Sequence, residues 1–299
     1  MIPYSRQLIE EDDIEAVVSV LKSDYLTQGP AIEAFESALA AYADARHAVV
    51  FSSGTAALHA AYWAAGIGKG DEVVTSPITF AATANAALYC GAAPVFIDVE
   101  ADTGNMDVTL LEQAITGGTK AIVPVHYAGH PVDLKAIGII AREFGLTVIE
   151  DACHALGAEY RDIGARGQGP GASRQQVKDP GPRPQDPTNG WIKVGSCTHS
   201  DMTVFSFHPV KQITTGEGGA VLTNSADYYD KLCLFRTHGI TKDPSKLDTR
   251  HSTLDGDWYY EMQALGFNYR LTDIQAALGL SQLRKLDRFI ARRREIAGT

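Results

Sequence analysis

Lys211 stands between two apolar, β-rich runs, Thr203-Val-Phe-Ser-Phe207 and Gly219-Ala-Val-Leu-Thr223, with Pro209 and the glycines of Thr215-Gly-Glu-Gly-Gly219 punctuating the interval. A lysine framed by buried strands costs free energy unless its pKa is depressed or its amine is used, and such an amine suits Schiff-base chemistry. A hairpin lysine pointing into solvent is the plain alternative. Three other stretches put reactive residue types where a strand's carboxyl end meets a loop, the position at which open α/β sheets bind ligands.

In Phe51-Ser-Ser-Gly-Thr-Ala-Ala-Leu58 a strand runs into an alanine-rich helix. Free N–H groups and the helix dipole make an anion site there, to which the hydroxyls of Ser53 and Thr55 can add bonds; simple N-capping explains the same residues. No Gly-Lys-Ser/Thr follows, so this is not a P-loop, and Gly167-Gln-Gly-Pro-Gly171 lacks the preceding strand of a dinucleotide fingerprint. In Val148-Ile-Glu-Asp-Ala-Cys-His154, Asp151 ends a buried strand. An anion in that place needs a cation or several donors; a protonated pyridine nitrogen supplies one, and capping of the next turn is the other reading. Ser76-Pro-Ile-Thr-Phe-Ala-Ala-Thr-Ala-Asn85 sets Phe80 at a strand-to-helix junction, either as core or as a ring that stacks on a cofactor.

The elements that position these residues follow from periodicity. Ile14, Val17, Val18 and Leu21, then Ile32, Phe35 and Leu39, mark two amphipathic helices around the loop Leu26-Thr-Gln-Gly-Pro30. From residue 47 onward short β-rich runs at 48–51, 72–75, 94–98, 121–125 and 146–150 alternate with helical windows near 55–66, 81–90, 107–117 and 132–144. Alternation of this length implies βαβ units, and the runs 202–207 and 219–223 bring the count to about seven strands in a mainly parallel sheet with helices on both faces.

A chain of 299 residues that is 45% apolar can bury a large core. A net charge of −10, with no basic cluster beyond Arg292-Arg293-Arg294, argues against nucleic acid as a partner. The cysteines Cys90, Cys153, Cys197 and Cys233 are dispersed without a C-x-x-C pair, so neither a disulfide framework nor a metal site is expected, Cys197 and His199 notwithstanding. The opening Met1-Ile-Pro-Tyr-Ser-Arg6 lacks the pattern of a signal peptide, and no run of apolar residues is long enough to span a bilayer. The expectation is a cytoplasmic protein without a membrane partner.

A phosphate cradle, an aromatic ring, an acid at a strand end and a framed lysine are the parts of a pyridoxal 5'-phosphate site. Taken with Gly266-Phe-Asn-Tyr-Arg-Leu-Thr-Asp-Ile-Gln-Ala-Ala-Leu-Gly279 and Phe205-Ser-Phe-His-Pro-Val-Lys211, the runs quoted above closely resemble the DegT/DnrJ/EryC1/StrS family of aminotransferases, which act on nucleotide sugars. The resemblance covers nearly the whole chain outside residues 162–192. It implies fold type I, with Lys211 forming the Schiff base and moving the substrate proton, and Asp151 facing the pyridine nitrogen. It also implies that Gly54, Thr55 and Ser206, with Ser53, hold the phosphate, that Phe80 covers one ring face and that His154 contacts the ring or its phenolic oxygen. Asn268 resembles a residue that reaches the phosphate from the partner subunit of a homodimer with shared sites, and Arg270 one that binds the amino donor's carboxylate or supports its loop. The family's related dehydratases carry histidine in place of the lysine, so Lys211 favours transamination.

The opening at Tyr4 and the tract Leu232-Cys-Leu-Phe-Arg-Thr-His-Gly-Ile-Thr-Lys-Asp-Pro244 resemble members that move an amino group from glutamate to the C4 ketone of a UDP-linked 4-keto-6-deoxy-N-acetylhexosamine. Tyr4 is then a substrate contact, and Arg6 and Arg236 are candidates for the diphosphate by position. Another nucleotide 4-keto sugar, or a non-catalytic homologue that only binds cofactor or a partner, is the alternative. The domain plan expected is a helical segment at 1–45, a cofactor-binding domain at 46–240, and a loop and helix at 241–299 leading into a C-terminal small domain that is largely missing. The Gly- and Pro-rich stretch 162–192 reads as a flexible surface insertion.

Overall fold

The computed structural model describes residues 6–161, 190–247 and 258–298. Strands β1 (His47–Phe51), β2 (Glu72–Thr75), β3 (Ala93–Phe96), β4 (Thr119–Val123) and β5 (Thr147–Asp151) occupy the windows set by the apolar runs. Two three-residue strands, β6 (Glu159–Arg161) and β7 (Trp191–Lys193), pair as a separate ribbon, so the last residues of the Gly/Pro-rich stretch are strand; its residues 162–189 lie outside the described ones. Strands β8 (Met202–Ser206) and β9 (Gly219–Thr223) complete the main sheet, and β10 (Ile240–Thr241) pairs with β11 (Glu261–Met262) apart from it.

The main sheet has seven strands in the order β1-β9-β8-β5-β4-β2-β3. Every strand runs parallel to the rest except β9, which is antiparallel to both neighbours. The carboxyl ends of β1, β2, β4, β5 and β8 therefore lie along one edge, and the reversal of β9 brings its amino end, Gly219, to the same edge opposite Phe51 and Ser206. Stretches far apart in sequence converge there.

Helices α1 (Glu11–Leu21), α2 (Pro30–Ala43), α3 (Gly54–Ala64), α4 (Ala81–Tyr89), α5 (Leu111–Ala114), α6 (Leu134–Phe144), α7 (Ala226–Arg236), α8 (Asp273–Leu283) and α9 (Leu286–Ala297) cover the sheet. Alternate residues of β1 and β9 split between two cores: Val49, Phe51 and Val221 pack beneath α3 and α7, while Ala48, Val50, Ala220 and Leu222 pack beneath α2 and α8. The fully buried Phe51 and Phe205 stabilise this arrangement by about 1.5–3 kcal/mol each.

Helix α1 departs from its apolar pattern. Ile14, Val18 and Leu21 are exposed, and the residue it buries is Asp13. The Asp13 carboxylate accepts from Ser281 Oγ at 2.6 Å and Gln282 Nε2 at 2.7 Å, and pairs with Lys285 Nζ at 2.7 Å. Burial alone would raise its pKa, but the Glu10 N–H and these side chains hold it below the usual carboxylate range. The single helix expected within 241–299 is two helices, α8 and α9, and Lys285 sits at the break.

Candidate active site

Ser53 has extended backbone, and its hydroxyl accepts the Ala56 N–H at 3.0 Å, so it caps α3. The N–H groups of Gly54 and Thr55, at the first two helical positions, have no intrahelical acceptor and remain available to an anion. Gly54 faces the end of β8: a Cβ there would lie 3.0 Å from Ser206 Cβ, 3.2 Å from Ser206 Oγ and 3.5 Å from Cys153 Sγ. At Gly219 the approach is closer, because an added Cβ would stand 2.7 Å from Gly54 N and Cα. Three strand ends thus meet backbone against backbone, with a hydroxyl, a helix start and no bulky side chain between them.

Asp151, the last residue of β5, is buried, with 5% of its surface exposed. Its Oδ2 accepts from Thr83 Oγ1 at 2.6 Å and its Oδ1 from the Cys153 N–H at 3.2 Å. It both caps the following turn and stays poised for a ligand, since no ammonium or guanidinium among the described residues pairs with it. Thr83, which sequence reasoning gave no role, is fully buried on α4 and takes Thr79 Oγ1 at 2.7 Å as a second partner. Its signal was a hydroxyl in an otherwise alanine-rich helix. Phe80, at the N-cap of α4, is 76% exposed, which removes it from the core.

Lys211 is half-buried in the loop between the buried Phe207 and Ile213. Its N–H donates to His208 O at 2.9 Å, its carbonyl accepts from the Arg293 guanidinium at 2.9 Å, and the neighbouring Gln212 amide donates to His154 O. The loop is therefore tied both to α9 and to the turn after β5. Partial burial lowers the His154 pKa below its ordinary 6.5; the Lys211 ammonium adds to this and Asp151 opposes it. Burial pushes the Cys153 thiol well above its ordinary value, with Asp151 adding to it and Lys211 working against it. Lys211, Asp151, Cys153 and His154 thus share one electrostatic neighbourhood.

Asn268 and Arg270 lie on a segment that flanks the cradle. Their segment runs beside the end of α7, with His238 N donating to Phe267 O at 2.9 Å and Tyr269 N to Arg236 O at 3.1 Å, and it joins the cradle through Ser52 N–H to Tyr269 O at 2.8 Å. Asn268 is exposed, and among the described residues no hydrogen bond links either residue to Lys211 or Asp151. Arg270 lines a cleft of about 380 Å³ with Gln28, Glu33, Glu36 and Arg236. Arg236 Nη1 donates to Glu36 Oε1 at 2.5 Å and Val50 O at 2.9 Å, a structural tie within the same cleft. Tyr4 lies outside the described residues, and Arg6 is exposed.

Among the described residues no cluster of three or more His, Cys, Asp or Glu could hold a metal, and no helix is long and apolar enough to cross a membrane. Cys197, once weighed with His199, spends its thiol on Leu222 O at 3.3 Å, and burial pushes its pKa up to about 12.

A glycine-lined cradle, a buried carboxylate without a cation, an exposed ring and a half-buried lysine fit a phosphorylated pyridine aldehyde, and with this strand order they define a pyridoxal-phosphate-dependent transferase of fold type I. Residues 7–299 match the model of the DegT/DnrJ/EryC1/StrS aminotransferase family, and the chain belongs to that family. It is 41% identical over 299 residues to the UDP-4-amino-4,6-dideoxy-N-acetyl-beta-L-altrosamine transaminase of Campylobacter jejuni, covering 99% of this chain and 68% of that protein. Helicobacter pylori PseC, an aminotransferase involved in the biosynthesis of pseudoaminic acid, superposes with a TM-score of 0.77 at 36% identity, over 95% of this chain and 66% of that one. The PLP-form of a putative sugar aminotransferase from Streptococcus pneumoniae gives a TM-score of 0.80 at 30% identity, over 99% of this chain and 70% of that one. The chain spans about two thirds of the length of these relatives, and its cofactor is pyridoxal phosphate.

Proposed function

We propose that the protein transfers an amino group from glutamate to the C4 ketone of a UDP-linked 4-keto-6-deoxy-N-acetylhexosamine, in pseudaminic acid biosynthesis in the cytoplasm. The observation that carries the reading is the convergence of the Lys211 loop, Asp151 and the Gly54 cradle on one sheet edge, in a chain 41% identical to a transaminase of such a sugar. When bound, the cofactor supplies an electrophilic carbon and an electron sink. Gly54 and Thr55 N–H groups, with the Ser206 hydroxyl, hold the phosphate. Asp151, oriented by Thr83, keeps a proton on the pyridine nitrogen. Phe80 would cover one ring face, His154 would contact the ring or its phenolic oxygen as a neutral imidazole, and Lys211 Nζ would carry the proton between the substrate carbon and the cofactor's benzylic carbon.

Asn268, exposed and without a hydrogen bond to Lys211 or Asp151 among the described residues, is assigned to the phosphate in the site of a partner subunit, and Arg270 to the donor carboxylate or to the support of its loop. The functional unit is then a homodimer with shared sites, and Tyr4 contacts the sugar. Incubation with pyridoxal phosphate, glutamate and a panel of UDP-, dTDP-, GDP- and CDP-linked 4-keto sugars, followed by mass analysis, tests the reading. Amination confined to a UDP-linked N-acetyl sugar supports it. Preference for another nucleotide would reject the pseudaminic assignment and keep the aminotransferase.

A further inference from the structure

Behind Asp151, on the opposite face of β5, lies a second buried carboxylate to which the proposed chemistry gives no task. Glu150 is 2% exposed, and its Oε2 lies 2.8 Å from Nε2 of His126, itself fully buried just beyond β4. Its Oε1 accepts from Thr203 Oγ1 at 2.8 Å and from Ser200 Oγ. The Val132 N–H points at His126 Nδ1 at 3.2 Å, so Nδ1 is the acceptor and the ring proton sits on Nε2, donated to Glu150. The ring is thereby fixed at both nitrogens.

The same histidine holds Asp151 through the main chain. His126 N–H donates to Asp151 O at 3.1 Å, and Asp151 N–H donates to Pro124 O at 2.9 Å, closing a parallel bridge between Val125 and Asp151. One residue beyond β4 thus grips two successive residues of β5, Glu150 by its ring and Asp151 by its backbone. Thr203, on β8, secures Glu150 from the other side. Every polar atom in this cluster is spoken for, and a buried network so satisfied resists small displacements.

We infer that His126, acting through Glu150, is the positioning residue that sets where the Asp151 carboxylate stands. The inference rests on Asp151 serving the cofactor's pyridine nitrogen. A displacement of about 1 Å is enough to spoil a charge-assisted contact of this kind, because its strength depends on short, aligned geometry.

Three substitutions and two kinds of readout test this. His126→Leu keeps volume and removes the donor, His126→Gln restores an N–H at the same bond count from Cβ, and Leu232→Ala in the other core serves as a control for general destabilisation. In cofactor-free protein, amide exchange at Asp151 and Cys153 quickens at least tenfold in His126→Leu relative to amides of α2, returns to within threefold of wild type in His126→Gln, and is unmoved in Leu232→Ala. With pyridoxal phosphate, His126→Leu raises the dissociation constant at least tenfold and shifts the visible band of the bound cofactor, again with rescue by Gln. Wild-type exchange at Asp151 in His126→Leu, or equal effects in Leu232→Ala, would overturn the inference. Since the exchange measurement needs no cofactor, a wild-type chain that failed to bind pyridoxal phosphate would refute the site reading, and exchange would still decide the role of His126.

Discussion

Thr83 and Asp151, 68 residues apart, meet at 2.6 Å between Oγ1 and Oδ2, so that a helix side chain fixes one oxygen of the strand-end acid while the Cys153 N–H fixes the other. A hydrogen bond to a charged group contributes about 1.5–3 kcal/mol. Thr83→Val keeps the β-branched shape and removes the donor. Urea unfolding should show a loss of about 1–3 kcal/mol, and titration with pyridoxal phosphate should show weaker binding. Wild-type stability and affinity would remove Thr83 from the site.

Gly219→Ala tests the cradle. Its Cβ would stand 2.7 Å from Gly54 N and Cα, so the start of α3 and the amino end of β9 must move apart. The expected cost is about 1–3 kcal/mol of stability, together with a loss of phosphate-dependent affinity that pyridoxal, lacking the phosphate, does not share. Equal losses for the two compounds would mean that the cradle holds no phosphate.

His59 gives a pH signature. It is buried against Tyr89, Phe235, Phe267 and Tyr269, and burial lowers its pKa from 6.5. Between the lowered value and 6.5 the unfolded chain binds more protons than the folded one, so stability falls as pH drops through that window and is insensitive to His59 above it. His154, also lowered, acts in the same direction. His59→Gln should flatten the decline of the urea midpoint as pH falls below 6.5. An unchanged slope would contradict the burial argument.

The sheet was legible because its strands are continuous apolar runs bounded by breakers, and residues 47–51, 72–75, 147–151, 202–206 and 219–223 follow them closely. What spacing alone left open, burial decided: Ser53 does cap α3, and Phe80 is not core. The exposed face of α1 was illegible because a periodic apolar stripe does not say which face docks, and the docking is done by Asp13 through three polar partners from α8 and its end. The pair of Arg236 with Glu36 was illegible for a similar reason, since the two are 200 residues apart and no local pattern signals them. Thr83, His126 and Glu150 act through contacts that only the assembled strand ends create.

Complementation tests the shared site. Asn268 is exposed and linked by no hydrogen bond to Lys211 or Asp151 among the described residues. If it serves a partner's site, mixing Lys211→Ala chains with Asn268→Ala chains should restore a fraction of activity, because one site of each hybrid holds both intact residues. No recovery in hybrids verified by native mass spectrometry would contradict the arrangement.

Covalent labelling is the most direct test of the central claim, that the Lys211 amine is the group at which this sheet edge does chemistry. Borohydride reduction of the protein with pyridoxal phosphate, followed by digestion and peptide mass analysis, should place a single phosphopyridoxyl group on Lys211. Lys211→Ala should lose both the label and the visible absorbance band while keeping its fold by circular dichroism. Labelling of another lysine, or undiminished labelling in Lys211→Ala, would contradict the account.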